Sequence, residues 1–262
     1  MDMNILIIAA NAYREGIRKK TLIGFLIVAL LVIGSSAFLT VFSPGKEIHM
    51  IKNVCLTAVS MFGVLIAIFI AGSMVPTEVE NKTIYTVLSK PLRRFDYLVG
   101  KFVGIQFILI VNLVLMSALF LTILYTRERV VSTILLKSVF LTYFELMIVS
   151  AFTFAVSMAS SSAVLPIICG AFMYVVGHLV EYLRGLSNHA TEAGHTFLAV
   201  MIRLLYLVLP DLSNFNLRDQ LIHLLPNDPR IGVTMRTLVL YALAHVAVGI
   251  VIAHMLFRRK EV

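Results

Sequence analysis

Six long apolar runs, separated by polar stretches, dominate the hydrophobic pattern of the chain: Leu22–Phe42, Val54–Val75, Phe102–Tyr125, Ser138–Ala159, Ala163–Tyr182 and Thr237–Phe257. Each reaches the roughly 20 mostly apolar residues that a helix needs to cross a hydrocarbon core. The pattern predicts six transmembrane helices. Ser43-Pro44-Gly45 marks a turn after the first run. Ser160-Ser161-Ser162 joins the fourth and fifth runs so tightly that those helices must be antiparallel neighbours. Residues 183–236 form the one long connection, and within it Phe197–Leu209 is a further apolar stretch, broken by Arg203 and closed by Pro210. At about 13 residues it is too short to cross alone and predicts an outer interfacial or re-entrant helix.

Ahead of the first run, Ile5, Ala9, Ala12 and Ile17 fall near one helical face, with Arg14, Glu15 and Arg18 mostly off it. Such a segment predicts an amphipathic helix resting in the membrane interface; a solvated basic N-terminus is the competing reading. The first run is longer than the apolar core of a signal peptide and ends without a small-residue cleavage site, so it is read as a retained helix. The expected fold is therefore an all-α membrane protein, one domain over residues 1–262.

Composition agrees: hydrophobic residues make up 60% of the chain and mean hydropathy is +0.95, against about 45–50% apolar in soluble domains. The net charge of +8 would point to nucleic acid only if its distribution were ignored. Arg14, Arg18, Lys19 and Lys20 precede the first run, and Arg258, Arg259 and Lys260 follow the last. With the N-terminus inside, twelve Lys and Arg lie on the cytoplasmic side in short segments, and ten lie outside over more residues. The positive-inside rule then places both termini in the cytoplasm, with Arg127, Arg129 and Lys137 opposing. Cys55 and Cys169 both fall inside apolar runs, where a thiol is an ordinary filler, so no disulfide framework follows.

The polar stretch between the second and third runs departs most from this background. Charged residues are 14% of the chain, yet eight fall between Glu78 and Lys101. Thr77 followed by Glu80 has the spacing of a capping box, with Pro76 just before it. A helix from Thr77 through about Leu88 is predicted, lying on the cytoplasmic face with Glu78 and Glu80 turned to solvent. Lys90-Pro91 should break it, and Pro91 suits the first turn of a basic helical neck carrying Arg93, Arg94, Asp96 and Lys101 into the third run. A solvated turn with a positive-inside signature is the alternative.

The stretch Glu78-x-Glu80-x-x-Thr83-x-x-x-x-Leu88-Ser89-x-Pro91-x-x-Arg94, then Leu98-x-Gly100-Lys101, resembles the loop after the second span in permeases of the ABC-2 type ATP-binding-cassette exporters. Leu209-Pro210-Asp211-x-x-Asn214-Phe215 before the last run also fits that family. The resemblance implies a homo- or heterodimer of permeases in a prokaryotic inner membrane, bound to two separate ATP-binding subunits that hold ATP and magnesium. This chain lacks a Gly-x-x-x-x-Gly-Lys-Ser/Thr loop and is expected to carry no cofactor and to hydrolyse no ATP. By the same resemblance the helix near Thr77 is a coupling helix. Glu78, Glu80 and Thr83 would meet the ATPase, and Arg93, Arg94 and Lys101 would join that interface or bind anionic lipid headgroups. Some members serve maturation of copper enzymes.

Ionisable residues within the runs are functional candidates because they are costly there. Glu145 lies in the fourth run, His178 and Glu181 one turn apart near the end of the fifth, and His245 and His254 in the sixth; Gln106 and Asn112 add polarity to the third. Glu145, His178 and Glu181 are candidates for a translocation path or a proton relay. The competing reading satisfies Glu145 through Tyr143 or a neighbouring helix, with Glu181 at the interface and the histidines packed. His189-x-x-Glu192-x-x-His195 holds ligand-type residues, but on a helix the two histidines do not share a face. Two functions of different class remain beside an intramembrane enzyme, for which no acid pair shares a credible face. One is an export permease driven by a separate ATPase. The other is a stand-alone proton-coupled secondary transporter using Glu145, His178 and Glu181, against which the lack of an inverted repeat argues.

Overall fold

The computed structural model describes residues 3–38, 47–82, 94–128, 133–180, 182–183, 185–187, 197, 200–201, 210–216 and 235–259. They form α1 (Met3–Ile17), α2 (Lys20–Ser35), α3 (Glu47–Glu80), α4 (Arg94–Glu128), α5 (Thr133–Ala159), α6 (Val164–His178), a single 3₁₀ turn at Ser213–Phe215, and α7 (Met235–Arg259). No strand occurs among the described residues. An apolar chain in hydrocarbon must pair every backbone N–H and C=O within its own segment, which helices do.

Four of these helices are long and apolar enough to cross a membrane: Ile48–Glu80, Phe95–Arg127, Leu135–Ala159 and Met235–Arg258. They cover the second, third, fourth and sixth apolar runs. At the first and fifth stand the shorter apolar helices Lys20–Ser35 and Val164–His178. The 16 residues of α2 rise about 24 Å, short of a core about 30 Å thick. The turn expected at Ser43-Pro44-Gly45 lies outside the described residues, as does most of Phe197–Leu209. Burial places α5 at the centre, with 72% of its most apolar window covered, and α7 at the periphery, with 28%.

The polar interruption is built differently from its expected form. α3 runs through Pro76 and ends only at Glu80, so Thr77 lies within its last turn and caps nothing. Pro76 removes one N–H from the ladder without stopping the helix. Side chains bond carbonyls around it: Ser73 Oγ donates to Phe69 O at 2.6 Å, and Thr77 Oγ1 to Ser73 O at 2.6 Å. The apolar run stops at Val75, but the backbone does not. The helix closes with Asn81 N donating to Thr77 O at 3.0 Å and Lys82 N to Val79 O at 3.1 Å, with Lys82 in the left-handed region at φ 57°. The expected course from Thr83 through Leu88, with the break at Lys90-Pro91, lies outside the described residues. The basic neck is present as the start of α4, which carries Asp96 and Lys101 unbroken into the third run.

α1 buries Ile5, Ile8, Ala9 and Ala12, three of them on the face expected from the sequence, while Ile17 is exposed rather than part of it. That face packs on the first turns of α4. A Cβ on Gly100 would stand 2.8 Å from Ile8 Cβ, and one on Gly104 would stand 2.5 Å from Ala12 Cβ and 2.9 Å from Ala9 O. Gly100-x-x-x-Gly104 lets two backbones touch, the small-residue device of membrane helix pairs. The opposite face exposes Leu6 and Ile7. The lead-in helix is thus docked on the bundle as well as amphipathic.

Candidate functional site

Two polar centres sit at opposite ends of the helices. The first gathers where α1 and α3 end and α4 begins. Tyr97 and Lys101 are four apart on α4 and so share a face. Both reach back to Glu78 in the last turn of α3. Lys101 Nζ lies 2.5 Å from Glu78 Oε1, and the Tyr97 hydroxyl donates to Glu78 Oε2. Lys101 Nζ also meets Glu15 Oε2 of α1 at 3.1 Å. Lys19, just before α2, donates from Nζ to Ser73 Oγ of α3 at 2.9 Å. Burial pushes the Lys19 ammonium below its ordinary pKa, while the Glu15 carboxylate holds it up. Two carboxylates thus face two ammonium groups, and charge is balanced locally. The Tyr97 ring stacks on Phe257 at 5.7 Å, tying the end of α7 to the same cluster.

This geometry corrects two expectations. Glu78 does not project to solvent; its side chain is 12% exposed and both its oxygens are engaged. Lys101 is not free for lipid headgroups, because its side chain is 5% exposed between two carboxylates. The reason is the length of α3: continuing the helix past Pro76 turns Glu78 onto the face that meets α4. Glu80, two residues on, is exposed as expected. Thr83, Arg93 and the side chain of Arg94 lie outside the described residues. Glu15 and Tyr97 escaped the sequence reading. The spacing Tyr97-x-x-x-Lys101 opposite an acidic pair was the available signal.

The second centre lies at the other end, between α3, α5 and α6. A cavity of about 190 Å³ is lined there by Thr57 and Ser60 of α3, Ser138, Thr142 and Glu145 of α5, and Tyr174 and His178 of α6. Phe215 and Asn216 line it from the 3₁₀ segment. Glu145 is 2% exposed, and Oε1 stands 3.5 Å from His178 Nε2. Of the two neighbours expected, Tyr143 or an adjacent helix, the structure gives the second, on α6, while Tyr143 packs against Phe144. Oε1 accepts no hydrogen bond among the described residues. His178 Nδ1 lies 3.2 Å from Tyr174 O. A carbonyl can only accept, so Nδ1 carries hydrogen and a neutral ring presents a lone pair at Nε2. The Tyr174 hydroxyl and the Ser60 side chain both line the cavity.

Residues 210–216 close this end. Leu212 N donates to Gly177 O at 3.1 Å, and a Cβ on Gly177 would stand 2.7 Å from Leu212 Cδ1. Asp211 N donates to the Tyr241 hydroxyl at 2.8 Å, fixing the segment to α7. The sequence reading marked Pro210, Asp211, Asn214 and Phe215 without a task; the structure makes their segment a cap over the cavity.

Other polar groups make local contacts, although Gln106 Oε1 and His254 Nδ1, like Glu145 Oε1, have no hydrogen-bond partner among the described residues. Gln106 Nε2 donates to Ser150 Oγ at 3.0 Å, and Asn112 Nδ2 to Ile108 O at 2.8 Å. His245 stacks on Tyr241 and bonds its carbonyl at 2.9 Å, and His254 stands edge-on to Phe95. Both cysteines are free, and no group of three His, Cys, Asp or Glu side chains suits a metal ion among the described residues. Glu181, His189, Glu192 and His195 lie outside them.

An apolar helical bundle with a charge-balanced knot at one end and a polar cavity at the other marks a membrane protein. The family profile of the ABC-2 family transporter proteins matches residues 6–262, and the chain belongs to that family. The match names the family as a whole rather than its copper-enzyme-maturation branch. No curated protein matches the chain.

Proposed function

We propose that this chain is the membrane subunit of an ATP-driven exporter, with a separate ATP-binding subunit docking on the cytoplasmic loop between α3 and α4. The observation that carries this reading is the ion cluster. Glu78 lies two residues before the end of α3, and Tyr97 and Lys101 lie in the first turns of α4, so both ends of the 81–93 loop are tied together by charge. The same lysine holds α1 through Glu15. A force on the loop therefore reaches three helices at once instead of being lost in a flexible joint.

Membership in the ABC-2 family supports the identity of the motor and favours this reading over the stand-alone proton-coupled transporter. In the assembled transporter, two copies of this chain, or one with a related permease, face two ATP-binding subunits. With α2 and α6 counted beside the four longer helices, this reading has six spans and cytoplasmic termini. Glu80, Thr83 and Arg93, with Arg94 at the start of α4, contact the motor, while Glu78 and Lys101 hold the frame on which that contact is mounted. Closing of the ATPase dimer draws the loops together and shifts the bundle between two arrangements.

Affinity purification of the full chain in mild detergent tests this reading: an ATP-binding subunit should accompany it. Glu80→Lys should leave the protein in the membrane and uncouple ATP hydrolysis from transport. A folded chain that brings no ATP-binding subunit, or unchanged transport in the variant, refutes the assignment.

A further inference from the structure

We propose that the cavity at the Glu145 end binds the primary ammonium group of a small or lipid-borne amine, held between Glu145 and His178. The inference goes beyond ATPase docking, because the cavity lies at the opposite end of the bundle and involves none of the loop residues. It begins with an electrostatic mismatch. Glu145 Oε1 and His178 Nε2 face each other at 3.5 Å, and with Nδ1 committed to Tyr174 O a neutral ring offers only a lone pair. Two acceptors confront one another, and no donor from the described residues reaches Oε1. A buried carboxylate left this way is driven to take up a proton or a cationic partner.

The lining limits what that partner can be. It must be cationic, because Glu145 is 2% exposed and Asp211 adds a second carboxylate close enough to act on His178. It must carry more than one N–H, to serve Oε1 and Nε2 together. It must also suit a wall of hydroxyls, from Thr57, Ser60, Thr142 and Tyr174. A primary ammonium has three N–H donors and a compact head. The cavity of about 190 Å³ equals about six waters at ~30 Å³ each, room enough for an aminated head. Phe215, in the cap fixed to α6 and α7, closes the apolar side of the space. An inorganic cation such as sodium could use the hydroxyl and carboxylate oxygens of the wall but would leave the imidazole nitrogen unserved, and titration with each separates the two.

The test uses the detergent-solubilised full chain at fixed pH and ionic strength, with Tm read against increasing ethanolamine, choline or sodium. Ethanolamine should raise Tm saturably. Choline, which has no N–H, and sodium should not. Glu145→Gln should raise the half-saturating concentration at least about tenfold, as expected for loss of one charge-assisted hydrogen bond. Gly24→Ala, with nothing within 4 Å of the added carbon, should leave it unchanged. A parallel titration with phosphatidylethanolamine in mixed micelles assigns the source: saturation at lower concentration than ethanolamine makes the amine lipid-borne, and the reverse makes it soluble. In the wild-type chain, ethanolamine but not choline should lower the total modification of Glu145 by an apolar carbodiimide, N-acylurea and ethanolamide summed by mass spectrometry, so the outcome does not depend on the variant folding. No saturable shift with either amine, equal shifts with choline, or unaltered carbodiimide labelling overturns the proposal and leaves a pair bridged only by a proton.

Discussion

The two ends of the bundle treat buried charge in opposite ways. At the Lys101 end, one ammonium is shared by two carboxylates, a phenol fills the remaining oxygen of Glu78, and Lys19 completes a neutral set. At the Glu145 end, one carboxylate faces the lone-pair edge of a histidine across 3.5 Å, beside a cavity. Satisfied networks rigidify the elements they join. A network left open is held ready for something else. Chemistry of the same kind, acid against base, makes a fixed frame at one end and a receptive site at the other.

The sharpest break in this comparison is Lys101→Met. It strands Glu15 and Glu78, and removing one partner of a buried pair costs about 3–5 kcal/mol. Denaturant unfolding in detergent should show a loss of that order, partly recovered when Glu78→Gln is added. A loss below about 1 kcal/mol would mean that the cluster is solvated rather than structural. Next comes the seam that brings Glu15 to Lys101. Gly104→Val drives a side chain into Ala12 Cβ and the Ala9 carbonyl, neither of which can rotate away, and should cost about 1–3 kcal/mol by the same measurement. The smallest effect is expected at the open end: Glu145→Gln keeps shape and removes a charge with no hydrogen-bond donor from the protein, so stability should stay within about 1 kcal/mol of the parent. Neutralising one charge thus has a large consequence at one end and a small one at the other. Equal losses for Lys101→Met and Glu145→Gln would dissolve the distinction.

Helix placement was legible wherever apolar length alone decides it, as in α3, α4, α5 and α7. So was the α1 face through Ile5, Ala9 and Ala12, because a 3.6-residue period depends on local order only. Thr77-x-x-Glu80 misled because a capping box is a statement about a helix that is starting, and α3 was still running. Nothing in the composition after Val75 shows that Pro76 will be absorbed within α3 instead of ending it. Glu78 then turned inward as a consequence. The Glu15–Lys101 bond joins residues 86 apart and rests on Gly104, whose meaning appears only when α1 lies against α4. At the other end, Glu145 and His178 were each legible as costly residues. Their pairing, and the cap from residues 210–216, depended on how α6 packs.

The central claim is that the loop framed by the Lys101 cluster receives the ATP-binding subunit, and site-directed photocrosslinking in native membranes tests it most directly. A photoreactive side chain at the exposed Glu80 position should form a covalent adduct with an ATP-binding subunit, and one at Asn216, at the opposite end, should not. An adduct from position 216, or none from position 80 in a folded protein, would contradict the account.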